Sequence, residues 1–266
     1  MSLDIVVCIK QVPDPEYFSK ITIDPVKQTI RREGIPTIIN PLDKHALEEG
    51  LKIKEKFSGK VTAVSMGPPS AREVLEEALA LGIDDAVLLC DRAFAGADTL
   101  ATAYPLASGI KKLGNFDLIL CGNETVDGAT GQVGPQIAEL LGIPHVTFVN
   151  EIEWANERDL IVKSTLERGY MKLQVTLPVL LSVVKEINEP RLPTVLGIMG
   201  ATEKEIKFFN AKDIDVPEGT IGLAGSPTRV ADVFEHKSKR KGEIIEGLPE
   251  DAVKRAVKRL RELKAI

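Results

Sequence analysis

The residues with the clearest capacity for chemistry lie in one loop. Gly122, Asn123, Glu124, Thr125, Val126, Asp127, Gly128, Ala129, Thr130, Gly131, Gln132, Val133, Gly134 and Pro135 follow the apolar run Phe116–Cys121, and Ile137, Leu140 and Leu141 then resume at helical spacing. A buried strand that feeds a glycine-rich loop and opens a helix is where α/β proteins hold phosphate. The glycines let the backbone approach, and the helix start offers unpaired N–H groups and a positive dipole end. The dinucleotide pattern G-x-G-x-x-G and the P-loop pattern are both absent, so this pattern points to a nucleotide or anion site; a plain strand-to-helix crossover is the alternative. Other chemistries find no footing. Cys8, Cys90 and Cys121 are far apart, form no C-x-x-C pair, and read as buried thiols. His45, His145 and His236 have no second ligand or nucleophile at useful spacing.

Four strand-plus-helix units must position that loop. Asp4–Lys10 is a first buried strand, followed by Pro13, Asp14 and Pro15, which forbid an immediate helix. Ile21–Ile23 and Gln28–Ile30 suggest a small hairpin about Pro25–Lys27. Asp43 is a plausible N-cap for a helix to about Phe57, with a Glu48–Lys52 pair on its surface. Val61–Ser65 is the second strand; Ser70 and Glu73 form a capping box for a helix that ends at Gly82. Ala86–Cys90 is the third, and after the small-residue loop Asp91–Asp98 a helix capped by Asp98 or Thr99 runs to Leu113, with Pro105 inside it. The fourth is the run that feeds the glycine-rich loop. Such alternation calls for a doubly wound, mostly parallel sheet. Ligands in such sheets sit at the strands' carboxyl ends, so the loops after Lys10, Ser65, Cys90 and Cys121 can line one pocket.

From His145 the period changes. Three strands to Thr176 and a fourth, apolar and central, over Pro178–Val184 extend the sheet in antiparallel fashion, which places a first domain at 1–185. Residues 186–266 then read as a partner-docking loop with exposed apolar residues, an extended arm over 211–248 without a core of its own, and a helix from Glu250 to Ala265. In that helix Val253, Val257, Leu260 and Leu263 form one stripe among Lys and Arg, either a solvated basic face or one that docks on an acidic partner. The chain of 266 residues is 44% hydrophobic, 27% charged and 5% aromatic, with net charge −5, which argues against nucleic-acid binding. The first residues lack a basic n-region and no apolar run approaches the ~20 residues of a membrane span, so a cytoplasmic protein is expected, with no membrane insertion.

Five stretches in order, Val6–Asp14, Asn40–Asp43, Val64–Pro68, Gly122–Pro135 and Asn188–Arg191, resemble the β subunit of an electron-transfer flavoprotein across nearly the whole chain. The resemblance implies an adenine-nucleotide α-hydrolase-like sheet and a heterodimer with a larger α subunit that carries FAD in a mobile domain. It also implies a nucleotide held by Cys8, Asn40, Pro41, Leu42, Asp43, Met66 and residues Gly122 to Val133. Lys10 and Gly67 end the neighbouring strands and join that set. In simple members the nucleotide is a structural AMP; in electron-bifurcating members it is a second FAD that takes hydride from NADH. Asp91–Thr102 and Asp127–Pro135 resemble the bifurcating group. Ala93, Ala95, Gly96 and Ala97 would leave room for a flavin, Asp98, Thr99 and Thr102 would line it, and Arg92 would favour its reduced anion. The same resemblance implies docking of a flavin dehydrogenase, such as an acyl-CoA dehydrogenase or a quinone oxidoreductase, through Arg191, Val195, Leu196, Ile198 and Met199. Ala129 departs from the acidic residue common in the family, Pro15 from a tyrosine, and Gly200 and Thr202 from a lysine-rich run. An ATP-binding stress-type module would share the fold but has no counterpart to residues 145–266.

Overall fold

In the computed structural model, which describes residues 2–20, 22–24, 29–31, 34–231 and 242–265, the apolar runs form one nine-stranded sheet. Its first half is built from β1 (Leu3–Cys8), α1 (Pro41–Phe57), β6 (Gly59–Met66), α2 (Arg72–Leu81), β7 (Asp85–Leu89), α3 (Thr99–Leu113), β8 (Leu118–Gly122) and α4 (Val133–Leu141). Between β1 and α1 lie four short strands, β2 (Gln11–Pro13), β3 (Thr22–Asp24), β4 (Thr29–Arg31) and β5 (Thr37–Ile39). β2 pairs antiparallel with β5, and β3 with β4, which is the anticipated hairpin; Ile21 and residues 25–28 lie outside the described set. Then come β9 (His145–Trp154), β10 (Asp159–Leu166), β11 (Gly169–Thr176) and β12 (Val179–Val183). The chain continues through α5 (Val195–Ala201), β13 (Ile206–Phe209) and α6 (Gly222–Gly225), and ends with α7 (Pro249–Glu262).

The strand order is β11-β10-β9-β12-β8-β1-β6-β7-β13, parallel from β9 through to β13, with β10 and β11 added antiparallel at one edge. This is the doubly wound, mostly parallel sheet anticipated, with β12 central; the antiparallel extension expected over 145–184 is confined to β9–β10–β11, because β12 runs parallel to both β8 and β9. Alternate residues of each strand feed two separate apolar layers. Ile5, Val7, Ala63 and Leu120 pack with Leu47 and Leu75 of α1 and α2, whereas Val6, Val64 and Ile119 pack with Ile110 and Ile137 of α3 and α4. Helices therefore cover both faces, as parallel strands buried on both sides require. The winding reverses between β1 and β8, since β6 and β7 follow on one side of β1 and β8 on the other.

Several local expectations are corrected. Asn40, not Asp43, is the N-cap residue of α1, because Pro41 fixes the first helical position. The Ser70–Glu73 capping box does not form. Pro69–Ala71 makes a 3₁₀ turn, α2 starts at Arg72, and Ser70 Oγ donates instead to Gln11 Oε1 at 3.1 Å. Glu48 does not pair with Lys52, which lies 3.8 Å from Glu49. The segment after residue 185 is not loose. It forms α5 against α2 and then β13 along β7, with Ile206 opposite Ala86, so a compact unit runs to Ala231 rather than ending at 185. Residues 211–231 have no core of their own and instead pack on the main body: Ile214 is buried and Val216 and Ile221 lie on the α3 layer. The second unit, from Asp232, is described through α7, whose Val253 and Leu263 are exposed. Among the described residues no helix is long and apolar enough to cross a membrane.

Candidate functional site

At the winding reversal the carboxyl ends of β1 and β8 are level, with Cys8 opposite Cys121 in register. Three side chains from the β1 end and the start of α1 grip the loop that leaves β8. Asn40 is wholly buried, and its amide does not cap its own helix. Nδ2 donates to the Glu124 carbonyl at 2.9 Å, and Oδ1 accepts from the Val126 N–H at 3.1 Å. Asp43 accepts the Lys10 N–H at 2.8 Å and the Gly122 N–H at 2.9 Å, tying the ends of β1 and β8 together through one carboxylate. Lys10 Nζ reaches both oxygens of Asp127, at 2.7 and 2.8 Å. Asn123 completes the anchorage from the other side: its Oδ1 accepts from the Phe148 N–H and the Ser182 hydroxyl, both at 3.2 Å.

Burial pushes the Asp43 carboxyl up to about 7, against the two backbone N–H groups that favour its charged form. Burial, and secondarily Asp43, pushes the Cys8 thiol up to about 12, and Cys121 is raised in the same way. Both thiols stay protonated at neutral pH, so neither is a nucleophile. Among the described residues no group of three or more His, Cys, Asp or Glu side chains could hold a metal ion.

Past Asp127 the loop turns on itself through the Ala129 N–H to Thr125 carbonyl bond of 2.8 Å. Gly131 then takes a φ of 62°, in the left-handed region where glycine is favoured. The N–H groups of Thr130, Gly131, Gln132 and Val133 donate to no group among the described residues. They lie at the entry to the nine-residue α4. Donors without a partner among the described residues, at a helix start on a loop fixed from behind by three side chains, are an arrangement able to cradle an anion. The 91–102 loop meets this cradle: Thr99 Oγ1 donates to Gln132 Oε1 at 3.1 Å, and Gln136 Nε2 donates to Thr99 Oγ1 at 3.3 Å.

The remaining anticipated residues fall in distinct places. Pro41 and Leu42 form the first turn of α1 beneath Gly122, where a Cβ would come within 2.5 Å of Asp43 Oδ1. Met66 packs on the α3 layer, and the Gly67 N–H is bound to the Leu89 carbonyl at 3.1 Å. Asp98 is the N-cap of α3, accepting the Ala101 N–H at 3.0 Å, and Thr102 lies in the first turn. Arg92 is exposed. The small residues beside it have a use within the chain. The Leu223 N–H donates to the Ala95 carbonyl at 3.0 Å, and a Cβ at Gly222 would run into the Ala93 carbonyl. Asp98 also holds this α6 turn, accepting the Thr228 N–H at 2.9 Å and its hydroxyl at 2.8 Å, while the Asp98 N–H donates to Ser226 Oγ at 2.8 Å. Gly222, Ser226 and Thr228 escaped the sequence analysis, because their partners lie some 130 residues upstream.

On α5, Val195, Leu196, Ile198 and Met199 are exposed, Leu196 by 79%. Arg191 is engaged within the chain, with its Nε 2.8 Å from Glu48 and its Nη1 2.5 Å from Glu55.

The fold is that of a doubly wound α/β protein with a glycine-rich loop at its switch point. Residues 28–214 match the electron transfer flavoprotein domain family. The chain is 49% identical over 260 residues to the electron transfer flavoprotein subunit beta of Clostridium acetobutylicum, covering 98% of each chain. It is 50% identical over 259 residues to the subunit of the same name from Thermoanaerobacterium thermosaccharolyticum, covering 97% of this chain and 98% of that one. To the caffeyl-CoA reductase-Etf complex subunit CarD of Acetobacterium woodii it is 48% identical over 244 residues, covering 91% and 92%. The chain belongs to the electron-transfer flavoprotein family, on its β-subunit side.

Proposed function

We propose that this chain is the nucleotide-binding half of a two-subunit electron carrier: it holds FAD in the cradle, takes part in oxidation of NADH, and delivers electrons through an α-subunit FAD to a flavin-dependent dehydrogenase. The observation that carries the proposal is the row of N–H groups from Thr130 to Val133 that have no partner among the described residues, on a loop pinned by Asn40, Asp43 and Lys10. That row suits the phosphates of a nucleotide. Bound FAD would supply the redox chemistry that the side chains of this chain lack. The protein's part would be to bind and orient it: the loop would take the phosphates, the β1 and β8 ends would form the floor, and Thr99, which contacts Gln132 of the loop, would line it from the other side. The likeness to a subunit of a caffeyl-CoA reductase complex supports a CoA-ester reductase or dehydrogenase as the electron acceptor. The exposed face of α5 offers it an apolar surface, and the basic α7 suits an acidic surface on the α subunit.

A second reading keeps the heterodimer but puts AMP in the cradle. It is favoured by α6, which closes on the Ala93–Gly96 side where a flavin slot was expected. Counting cofactors released from the co-purified αβ complex decides between them. The proposal expects two FAD per pair and bleaching by NADH. One FAD and one AMP, even after reconstitution with excess FAD, would leave a simple electron carrier.

A further inference from the structure

α5 has seven residues, two of them glycine, and a free helix of that length is not stable in water. It is nevertheless fixed at both ends and in its middle. Ahead of it, the Arg191 guanidinium spans two carboxylates of α1: Nε and Nη2 bind Glu48 at 2.8 and 3.0 Å, and Nη1 and Nη2 bind Glu55 at 2.5 and 3.2 Å. The Arg191 N–H also donates to Glu48 at 3.1 Å. Three residues earlier, Asn188 Nδ2 binds the His45 carbonyl and Glu49 Oε2 of the same helix, each at 3.0 Å. In the middle of α5, Gly197 lies so close to the end of α2 that a Cβ would run into the Ala80 carbonyl. Beyond it Ala201 is buried, and Lys204 Nζ donates to the Ile83 carbonyl at 2.6 Å. Only the outer face, with Leu192, Val195, Leu196, Ile198 and Met199, is left to solvent.

We infer that Arg191 is a positioning residue, which holds α5 ready for the acceptor dehydrogenase and does not itself touch that partner. The inference rests on the docking role proposed above for α5. Its physical content is preorganisation. A docking element ordered before the encounter spares the complex the entropy of ordering it afterwards, so its loss weakens association rather than chemistry. The guanidinium suits the task because its planar fork serves two carboxylates at once, which a lysine ammonium cannot reproduce.

The test uses the intact αβ complex with Arg191→Ala, and with the milder Arg191→Lys and Glu55→Gln in case the first folds poorly. Three readouts are taken: hydrogen exchange of the 194–201 amides, NADH-driven reduction of a small dye, and NADH-driven turnover with an acyl-CoA dehydrogenase. The dye needs no docking surface. Arg191→Ala should speed α5 exchange at least 10-fold, leave dye reduction unchanged, and raise KM for the dehydrogenase about 10-fold at unchanged kcat, with Arg191→Lys in between. Unchanged exchange in α5 overturns the inference whatever KM does. Faster exchange with unchanged KM would remove the docking role of α5 while leaving the hold of Arg191 on it intact.

Discussion

Replacing Asn40 with alanine tests the grip on the proposed nucleotide loop at its most buried point. The change deletes two hydrogen bonds, to the Glu124 carbonyl and from the Val126 N–H. Glu124 and Val126 are themselves exposed, so water can take up the freed groups, and each bond is then worth about 1 kcal/mol net. The sum of about 2 kcal/mol falls on the loop's ordered state, and at about 1.4 kcal/mol per tenfold it corresponds to roughly 30-fold weaker nucleotide binding. The assay is equilibrium release of the nucleotide from the αβ complex, followed by fluorescence or by filtration and chromatography. Asn40→Asp serves as the control. It keeps an acceptor for Val126 but turns a carboxylate oxygen toward the Glu124 carbonyl, so it should bind no better than the alanine variant. Unaltered retention in Asn40→Ala, with the complex still folded, would refute the idea that this side chain shapes the cradle.

Two further outcomes follow from the same geometry. The Asp43 carboxyl sits near 7 in the fold against 3.8 in an unfolded chain, so the native state binds the extra proton between those values. Stability should therefore fall as pH rises from 4 to 7, by up to about 1.4 kcal/mol per pH unit from this group, and Asp43→Asn should flatten that slope in pH-dependent thermal unfolding. An unchanged slope would mean that Asp43 titrates normally. Replacing Val195 and Leu196 with serine should slow electron delivery to the dehydrogenase several-fold without separating the two subunits on gel filtration; dissociation would assign α5 to the α subunit instead.

The parallel core was readable because its signals are local: apolar runs bounded by glycine and proline give β1, β6, β7 and β8, and the Gly122–Pro135 loop announces itself by composition. The errors share one cause, which is that local pattern is silent about distant partners. Asp43 has the type and place of a helix cap, yet backbone N–H groups 33 and 79 residues away claim it. Ser70 fits a capping box, but consecutive prolines set a 3₁₀ turn first and Gln11 takes its hydroxyl. β13 alternates no more clearly than a loop and becomes a strand only because β7 offers an open edge. α5, with Pro193 before it and Gly197 and Gly200 within, has poor helix propensity; contact with α2 decides it. Ala93, Ala95 and Gly96 illustrate a subtler limit, since room for a ligand and room for the chain's own backbone look identical in one dimension.

One consequence of how α5 is mounted concerns descent rather than chemistry. Its attachment uses Arg191, Gly197, Ala201 and Lys204, while its outward side chains are exposed. Residues 192, 195, 196, 198 and 199 are thus free to drift without loss of folding or of the cradle at the far end of the sheet. A duplicated copy of this subunit can acquire a new redox client by rewriting a handful of codons. On the docking role proposed for α5, the fold would keep its recognition of clients on an exchangeable cassette, separate from the machinery that must not change.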